Sequence, residues 1–300
     1  MNIIEIVKYV LAILLKLVTV ILVFILIIVA MMYDSDNRLQ FTKIKLEDNK
    51  VNNEIKIVHL SDLHQKECDS LFQKISEVNP DLIFITGDIP QLSDKNMKII
   101  TDRSKIIYSK NLQYCKKVLE KTQKIAPTYY VLGNHEHVFE KFDYDLNEFK
   151  NMVKQTNVNL LINEAITTNI KDTTINILGV DNSFYNDIEI NNLVKDFEKR
   201  EEIKIILDHY PVDFALNGVF SYMNYDIDYV FSGHEHGGQI RLPFIGGILS
   251  HEQGIFPKYA EGIHVKNNST LIVSRGLGNS TMPIRFLNRP EVIVVKLVKP

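Results

Sequence analysis

The hydrophobic pattern divides the chain into an apolar N-terminal segment and a longer region in which apolar and polar stretches alternate. From Tyr9 to Met32 the only charged side chain is Lys16. A membrane-spanning helix needs about 20 predominantly apolar residues. Lys16 lies near one end of this stretch, so its long side chain can reach the headgroups. The pattern therefore predicts a transmembrane anchor at residues 1–33.

A cleaved secretory signal peptide is the other explanation of this segment. The apolar stretch ends in IVAMMYD at residues 28–34, which contains no A-x-A-like cleavage site, so we expect an uncleaved, single-pass anchor. Lys8 and Lys16 precede its centre and acidic residues at 34 and 36 follow it, which favours a cytoplasmic N-terminus. Basic residues from position 38 onwards oppose this orientation. We expect the rest of the chain to lie outside the cytoplasm, at the cell membrane.

The rest of the chain divides into a short connector and one large domain. Residues 34–54 are polar and rich in Asn, Asp and Lys, and they predict a juxtamembrane connector or an edge strand. Residues 55–300 contain no internal repeat and no linker rich in Pro, Gly or Ser, which indicates one domain.

Apolar runs in this domain alternate with amphipathic segments, which predicts an α/β fold. Residues 82–86 (LIFIT) are continuously apolar, as expected of a strand buried on both faces. Residues 166–180 alternate around a polar Lys-Asp pair and predict a β-hairpin. Helices are expected in the second half of residues 91–124 and near residues 145–155, 191–200 and 212–225, and two strands are expected near the C-terminus.

Five of the apolar runs end in clusters of metal-binding residue types. The pairs of run and cluster are IKIVHL-SDLH, LIFIT-GD, TYYVL-GNHE, KIIL-DHYP and DYVFS-GHEH. In open α/β sheets, ligand sites form outside the carboxyl ends of strands, so these clusters are expected to converge. Two carboxylates, an amide carbonyl and several imidazoles suit two divalent ions such as Mn²⁺, Fe or Zn²⁺. The predicted metal ligands are Asp62, His64, Asp88, Asn134, His209, His234 and His236.

Composition narrows the choice of partners. The formal net charge is −3 and the pI is near 6.3, so the chain lacks the basic stripe expected of a nucleic-acid-binding protein. Cys68 and Cys115 belong to no metal motif and are expected to be ordinary thiols. His59 lies within a predicted strand and is expected to have a structural role.

The order of motifs, D-x-H, G-D, G-N-H-E, a single His and G-H-x-H, resembles the calcineurin-like metallophosphoesterase superfamily. The resemblance extends from about residue 55 to the C-terminus. The C-terminal sequence, which includes GHEHGGQIRLPFIGG and RFLNRPE, is similar to the membrane-anchored bacterial branch. The resemblance implies a two-sheet αββα sandwich after the N-terminal transmembrane helix, and a catalytic domain at residues 55–300.

The resemblance also implies how the ligands are shared. Metal one is expected to take Asp62, His64, Asp88 and His236, and metal two Asp88, Asn134, His209 and His234. A hydroxide bridging the two ions would then attack phosphorus in line.

His135 stands next to a predicted ligand without being one. We expect it to act as a general acid toward the leaving oxygen or as a donor to the phosphoryl oxygens. In the protein-phosphatase branch an Asp three residues after the G-D motif orients this histidine, whereas Gln91 occupies that position here. The difference predicts weaker catalysis on monoesters.

The segment after the last metal motif has two explanations. Residues 237–247 are expected to form either a substrate loop, in which Arg241 binds a phosphate oxygen, or a surface loop with Gly and Pro turns. Arg275 and Arg285 are weaker candidates for the same role. The apolar residues at 244, 245 and 256 indicate either contact with a bilayer or lipid tail, or ordinary core.

These observations predict a membrane-anchored, dinuclear-metal phosphoesterase, whose substrate is a phosphodiester with a possible lipid or cell-envelope link. A nucleotide phosphodiesterase or a phosphomonoesterase is the alternative among enzymes. A non-catalytic sensor or scaffold on the same fold is the alternative of another class. The sequence leaves the native substrate, the metal and the oligomeric state open.

Overall fold

The structure is a computed structural model, and it describes residues 2–67, 69–92, 102–141, 146–181, 187–215, 221–279 and 284–300. Within these residues six α-helices are present: α1 Ile3–Asn37, α2 Asp69–Val78, α3 Asp102–Ile125, α4 Asn134–Lys141, α5 Leu146–Gln155 and α6 Asp187–Phe197.

The N-terminal helix α1 projects its apolar side chains away from the rest of the chain. It begins with a capping box, in which Asn2 accepts a hydrogen bond from Ile4 N–H and Glu5 accepts one from Asn2 N–H. Among the described residues it is the one helix long and apolar enough to cross a membrane. The helix continues four residues beyond the predicted end of the anchor, to Asn37.

Two six-stranded sheets form the centre of the domain. The first has the order β1-β16-β2-β3-β4-β5, with strands β1 Gln40–Glu47, β2 Ile55–Leu60, β3 Leu82–Thr86, β4 Thr128–Val131, β5 Asn159–Leu160 and β16 Glu291–Val298. The second has the order β14-β15-β9-β8-β7-β6, with strands β6 Glu164–Ile170, β7 Thr173–Gly179, β8 Ile203–Leu207, β9 Tyr229–Ser232, β14 Gly262–Lys266 and β15 Ser269–Val273.

Apolar side chains between the two sheets bury the inner face of each. Ile57 and Phe84 of the first sheet belong to the same cluster as Ile205 and Phe231 of the second. A second cluster joins the outer face of the first sheet to α2, α3 and α5, and a third joins the outer face of the second sheet to α6. The predicted αββα sandwich is therefore confirmed.

The parallel strands of both sheets have their carboxyl ends on one common side of the domain. Strands β2, β3 and β4 are parallel neighbours, and so are β7, β8 and β9. Their carboxyl ends, and the loops that follow them, form what we call the cleft edge.

The polar segment after α1 becomes part of the first sheet. Residues Gln40–Glu47 form β1, an edge strand that pairs in parallel with β16 from Gln40 opposite Glu291 to Glu47 opposite Val298. Of the two interpretations of residues 34–54, the edge strand is the one that the structure shows there.

Several other predicted elements are present with shifted ends. The hairpin predicted at 166–180 is the antiparallel pair β6–β7, whose turn residues Lys171 and Asp172 both have left-handed φ, as a tight hairpin turn requires. Cys115 is a free, buried thiol, as expected, whereas Cys68 and Asp145 lie outside the described residues.

The α-helix predicted at 212–225 is wrong in the described part of that segment. Two short 3₁₀ turns are present instead, Pro211–Phe214 and Tyr222–Asn224, and residues 216–220 lie outside the described chain. Ser221 has an extended backbone before the second turn. The Tyr222 hydroxyl donates to Asp208, so a tertiary contact overrides the local helical pattern.

Two short hairpins follow the last metal motif. They are β10 Arg241–Leu242 with β11 Gly246–Gly247, and β12 Leu249–Ser250 with β13 Gly254–Ile255.

Candidate metal centre

The predicted metal ligands come together at the cleft edge. The first sheet positions Asp62 after β2, Asp88 after β3 and Asn134 after β4. The second sheet positions His209 after β8 and His234 after β9. Donor atoms of these residues form groups that could hold metal ions, with the atoms of each group within 4.8 Å of one another.

We call the first of these groups the inner group: Asp62, His64 and His236. The Nε2 atoms of the two imidazoles are 3.1 Å apart, and His236 Nε2 is 3.4 Å from Asp62 Oδ1. The side chains of Asp62 and His64 have no solvent exposure.

We call the second the outer group: Asp88, His209 and His234. His209 Nε2 is 3.0 Å from His234 Nδ1 and 3.5 Å from Asp88 Oδ2. Asn134 Oδ1 also lies 3.0 Å from His209 Nε2, so the amide carbonyl belongs with this group.

Asp88 stands between the two groups. Its Oδ2 is 3.6 Å from His64 Nε2 of the inner group and 3.5 Å from His209 Nε2 of the outer group. His135 Nε2 lies 3.9 Å from the same oxygen, and the His135 backbone N–H donates to Asp88 Oδ1 at 2.8 Å. One carboxylate thus contacts both candidate ion positions and the predicted acid.

The chemistry of the donor set fits a dinuclear centre. His209 Nδ1 donates to the Thr86 carbonyl at 2.7 Å, so in the neutral imidazole Nε2 carries the lone pair that a metal would use. Burial lowers the pKa of His64 and of His234 to about 3, so both imidazoles are neutral, as metal ligands must be. The donor atoms are oxygens and imidazole nitrogens, which suit borderline divalent cations.

The carboxylates carry opposite pKa shifts. Burial raises the pKa of Asp62 to about 6. Burial acts the same way on Asp88, but the surrounding imidazoles, His209 first, hold its pKa well below the usual value. Burial would lower the pKa of His209, yet Asp88 raises it to about 10. The imidazolium of His209 therefore offsets the buried carboxylate charge, a role that a bound cation would take over.

Several of the predicted ligands, like some residues in other loops, have a left-handed backbone conformation. Five of them have left-handed φ between 44° and 70°, which costs an L-residue about 1–3 kcal/mol each. They are Asp62, His64, Asp88, His234 and His236. Such strain persists where the surrounding structure holds it for a functional purpose.

Two motif glycines allow the loops to approach closely. A Cβ at Gly133 would lie 2.4 Å from Asp88 Oδ1, and one at Gly233 would lie 1.8 Å from Ser61 Oγ. Any side chain at either position would displace a strand-end loop that carries a candidate ligand.

Glu136 has a supporting role that the sequence reasoning missed. Its buried carboxylate accepts hydrogen bonds from the backbone N–H groups of Asp88, Ile89 and Gly133 at 2.8–2.9 Å, and from the Tyr130 hydroxyl at 2.5 Å. Its place in the G-N-H-E motif was the signal that could have indicated this role. Glu136 fixes the loop after β3 to the loop after β4.

A cleft of about 480 Å³ gives access to the centre. Besides predicted residues it is lined by Tyr210, His251 and Glu252, which the sequence did not indicate. Glu252 Oε2 lies 3.5 Å from His234 Nε2, on the side of the ring away from the outer group. Burial raises the pKa of Glu252 to about 7.

Arg241 lies outside the set of described residues that line this cleft. Its guanidinium donates to Gly237 O at 3.0 Å and forms an ion pair with Glu261. The predicted phosphate contact would require this pair to open.

Arg285, one of the weaker candidates, is fully buried. It donates to the carbonyls of Arg275 and Gly278 and lies 3.4 Å from His236 Nδ1. The cation helps to keep the pKa of His236 low, after burial and His64, and so keeps that imidazole neutral. Arg275 is paired with Glu291.

The other histidines are structural or peripheral. His59 is buried between the sheets, bonded through Nε2 to Thr86 Oγ1 at 2.8 Å, as its expected structural role requires. His137 is buried and paired with Asp181 at 2.9 Å. Gln91 Oε1 and His135 Nδ1 each lack a hydrogen-bond partner among the described residues, so Gln91 does not hold His135 as the family's aspartate would.

Carboxylates, an amide and imidazoles at the strand ends of a two-sheet sandwich define a metallophosphoesterase. Residues 55–238 match the sequence profile of the calcineurin-like phosphoesterase family. The chain therefore belongs to the calcineurin-like phosphoesterase family, and it is a metal-dependent phosphoester hydrolase.

Three relatives illustrate the similarity. Two are named uncharacterized metallophosphoesterases of Bacillus subtilis (strain 168). YkuE is 28% identical over 81% of this chain and 78% of its own length, and YkoQ is 26% identical over 79% and 82%. The third, from Chlamydia trachomatis serovar D, is named UDP-2,3-diacylglucosamine pyrophosphatase LpxG. It is 25% identical over 81% of this chain and 83% of its own length.

Proposed function

We propose that the protein is a membrane-anchored phosphoesterase that holds two divalent cations and hydrolyses a phosphodiester-type bond in a lipid-linked or cell-envelope substrate. The observation that carries the proposal is the position of Asp88, whose Oδ2 lies within 3.6 Å of a nitrogen in each of the two ligand groups. A carboxylate in that position is suited to bridge two ions.

The inner ion would be held by Asp62, His64, Asp88 and His236, and the outer ion by Asp88, Asn134, His209 and His234. Bound divalent cations supply Lewis acidity toward phosphoryl oxygens and an activated water as nucleophile. The neutral state of His64 and His234 prepares these side chains to bind, and His209 would bind through Nε2 once a cation displaces its proton.

His135 is the residue that we assign to the leaving group. Its ring lines the cleft, and its backbone N–H is bonded to Asp88, so its position relative to the ligands is fixed. From there it can donate a proton to the leaving oxygen or a hydrogen bond to the phosphoryl group. Arg241 stays a predicted substrate contact that depends on release from Glu261.

The substrate class rests on three observations. The helix α1 is long and apolar enough to cross a membrane, and as an anchor it would restrict the catalytic domain to a membrane surface. The chlamydial relative is named for a diacylated sugar nucleotide, which is a lipid-linked substrate. Gln91 stands where an aspartate would orient His135 in the protein-phosphatase branch, and His135 Nδ1 has no hydrogen-bond partner among the described residues, which favours diester-type bonds over monoesters. The charge pattern around α1 supports a domain outside the cytoplasm.

The test uses the full-length protein in detergent, stripped of metal and reloaded with Mn²⁺. Hydrolysis of a bis-aryl phosphodiester is compared with that of an aryl phosphomonoester, with Asp88→Asn as the inactive variant. Asp181→Asn is the matched control, because Asp181 is also a buried carboxylate beside an imidazole but lies outside both ligand groups.

We expect metal-dependent turnover that Asp88→Asn abolishes and Asp181→Asn retains, with the diester as the faster substrate. Turnover that does not depend on metal would contradict the dinuclear mechanism. Faster hydrolysis of the monoester would contradict the assigned substrate class.

A further inference from the structure

The anchor helix joins the domain at the edge that carries the candidate metal centre. Strand β1, which follows α1, starts with Gln40 opposite Glu291 of β16. Strand β16 runs antiparallel to β2, with Ile293 opposite His59 near the carboxyl end of β2. The start of β1 is therefore level with the loop that carries Asp62. We call residues 34–37, the C-terminal end of α1, the base of α1. This base and the cleft lie on the same edge of the first sheet.

The last turn of α1 is fixed to the domain. Both Nε and NH2 of Arg289 contact Asp34 Oδ2, at 2.7 and 2.6 Å. Asp36 Oδ1 accepts from Asn279 at 2.8 Å, and Ser35 is buried. These contacts begin two residues after Met32, which is about 3 Å of helix rise. The domain therefore abuts the end of the apolar segment at its cleft edge.

The same edge carries exposed apolar side chains on the two hairpins β10–β11 and β12–β13. We call residues 241–256 the apolar rim. Phe244 at the tip of the first hairpin is fully exposed, and Ile255 and Phe256 of the second are 69% and 63% exposed. The exposed apolar side chains of the rim are Leu242, Phe244, Ile245, Leu249, Ile255 and Phe256. These residues are not the ordinary core that the sequence left open.

The short segment at residues 286–289 contacts both the apolar rim and the base of α1. Arg289 binds Asp34, and three residues earlier Phe286 O accepts from the Arg241 N–H at 2.9 Å. Leu287, between these contacts, exposes its apolar side chain. The rim and the helix base thus share one continuous surface.

The rim is also one wall of the cleft. His251 and Glu252, in the turn between β12 and β13, line the cleft beside His234. Phe256 and Glu252 line a neighbouring cavity of about 520 Å³. Whatever contacts the rim therefore lies next to the candidate metal centre.

We propose that the apolar rim inserts into the bilayer that α1 crosses, on the side of the catalytic domain, so that the cleft opens toward the lipid headgroups. The inference rests on the membrane anchor of the proposed function and adds an orientation to it. Burial of exposed Phe and Ile side chains is favourable, and amphipathic elements bury such side chains about 5–10 Å into the boundary between headgroups and acyl chains. Because α1 brings this bilayer to the cleft edge, the bilayer is the partner that the geometry favours.

The chain contains no tryptophan, so a single substitution creates a single fluorescent reporter. Phe244→Trp in the full-length protein places it at the tip of the rim. Val265→Trp is the matched control. The Val265 side chain is 66% exposed. Val265 pairs with Thr270 of β15, and Thr270 pairs with Tyr229 at the start of β9. Because the carboxyl end of β9 is at the cleft, Val265 lies at the opposite end of the sheet. Both variants are reconstituted in phosphatidylcholine vesicles with or without acyl-chain-brominated lipid, a quencher of tryptophan.

We expect a blue-shifted emission from Phe244→Trp that brominated lipid quenches, and a red, unquenched emission from Val265→Trp. An unquenched Phe244→Trp would overturn the proposal. A blue-shifted but unquenched emission that depends on protein density would assign the rim to contact with a second copy instead, and would overturn it as well.

A double variant, Phe244→Asp with Phe256→Asp, separates this proposal from the proposed function. We expect it to hydrolyse a soluble aryl diester at the wild-type rate and to lose hydrolysis of a diester presented in vesicles. Equal rates on the vesicle substrate would contradict insertion of the rim. If the wild type fails to hydrolyse either substrate, the proposed function fails, while the quenching result still decides the orientation.

Discussion

The inner and outer groups of the candidate metal centre contain the same kinds of buried side chain but differ in how many of these line the cleft. In the inner group the side chains of Asp62 and His64 are completely buried, and His236 alone lines the cleft. In the outer group Asp88 and His234 line the cleft, together with Asn134. Because more residues of the outer group line the cleft, we expect an outer ion to lie nearer to the substrate than an inner ion.

Asp88→Asn should have the largest effect, because Asp88 is the residue assigned to both ions. We expect turnover to fall by about 10³-fold or more, equivalent to a loss of about 4 kcal/mol of transition-state stabilisation, and both ions to be lost. Asp62→Asn, which touches the inner group alone, should lose one ion. Metal content measured by mass spectrometry on each purified variant checks this. Two ions retained in Asp88→Asn would show that the groups are independent.

Removal of metal by a chelator should distinguish the groups by rate. The outer ion should leave first, because its ligands line the cleft, and the inner ion should leave slowly. In a time course of metal release, His209→Ala should lack the fast phase and His64→Ala the slow phase. A single phase in the wild type, unchanged in both variants, would remove the distinction between inner and outer ions.

The sequence predicted some features of the candidate metal centre and missed others. The convergence of the seven predicted ligands could be predicted, because each lies in a loop that follows a largely apolar strand, and strand ends converge at one edge of a sheet. The motif drew attention to Glu136 but not to its partners, because its role depends on three backbone N–H groups that only the folded loops bring together. Glu252 and the two short hairpins were missed, because two-residue strands such as β12 leave almost no periodic signal, whereas the apolar residues at 244, 245 and 256 were noted with bilayer contact and core left as alternatives.

In the fold, too, some elements could not be predicted from the sequence, as the helix predicted at 212–225 shows. Its local pattern favoured a helix, but Tyr222 is directed inward by a hydrogen bond to Asp208 that lies 14 residues earlier. The long apolar strands and the hairpin at 164–179 were predictable, because their patterns extend over whole elements.

Glu136→Gln should have the next smaller effect and should act mainly on the outer group through the Asp88 loop. An amide in place of the carboxylate cannot accept from all three backbone donors, so we expect the free energy of unfolding to fall by about 3 kcal/mol. Glu77→Gln, on the exposed surface of α2, should change it by less than about 0.5 kcal/mol. Denaturant unfolding of both variants checks this. Equal stabilities would show that Glu136 does not hold the loop.

His59 should have the smallest effect and provides a reference outside both groups. Burial lowers its pKa from 6.5 to about 3, so the unfolded state binds more protons than the folded state between these values. Stability should therefore fall as the pH falls below about 6.5. His59→Gln should reduce this slope by up to about 1.4 kcal/mol per pH unit and change stability little at pH 7. An unchanged slope would show that acid acts through the ligand histidines alone.

The most direct test of the account is anomalous X-ray scattering from crystals of the full-length protein loaded with Mn²⁺. The account predicts two peaks about 3.5–4 Å apart, one beside His64 and His236 and the other beside His209 and His234, with Asp88 between them. A single peak, or two peaks that do not share Asp88, would contradict a dinuclear centre organised around this carboxylate.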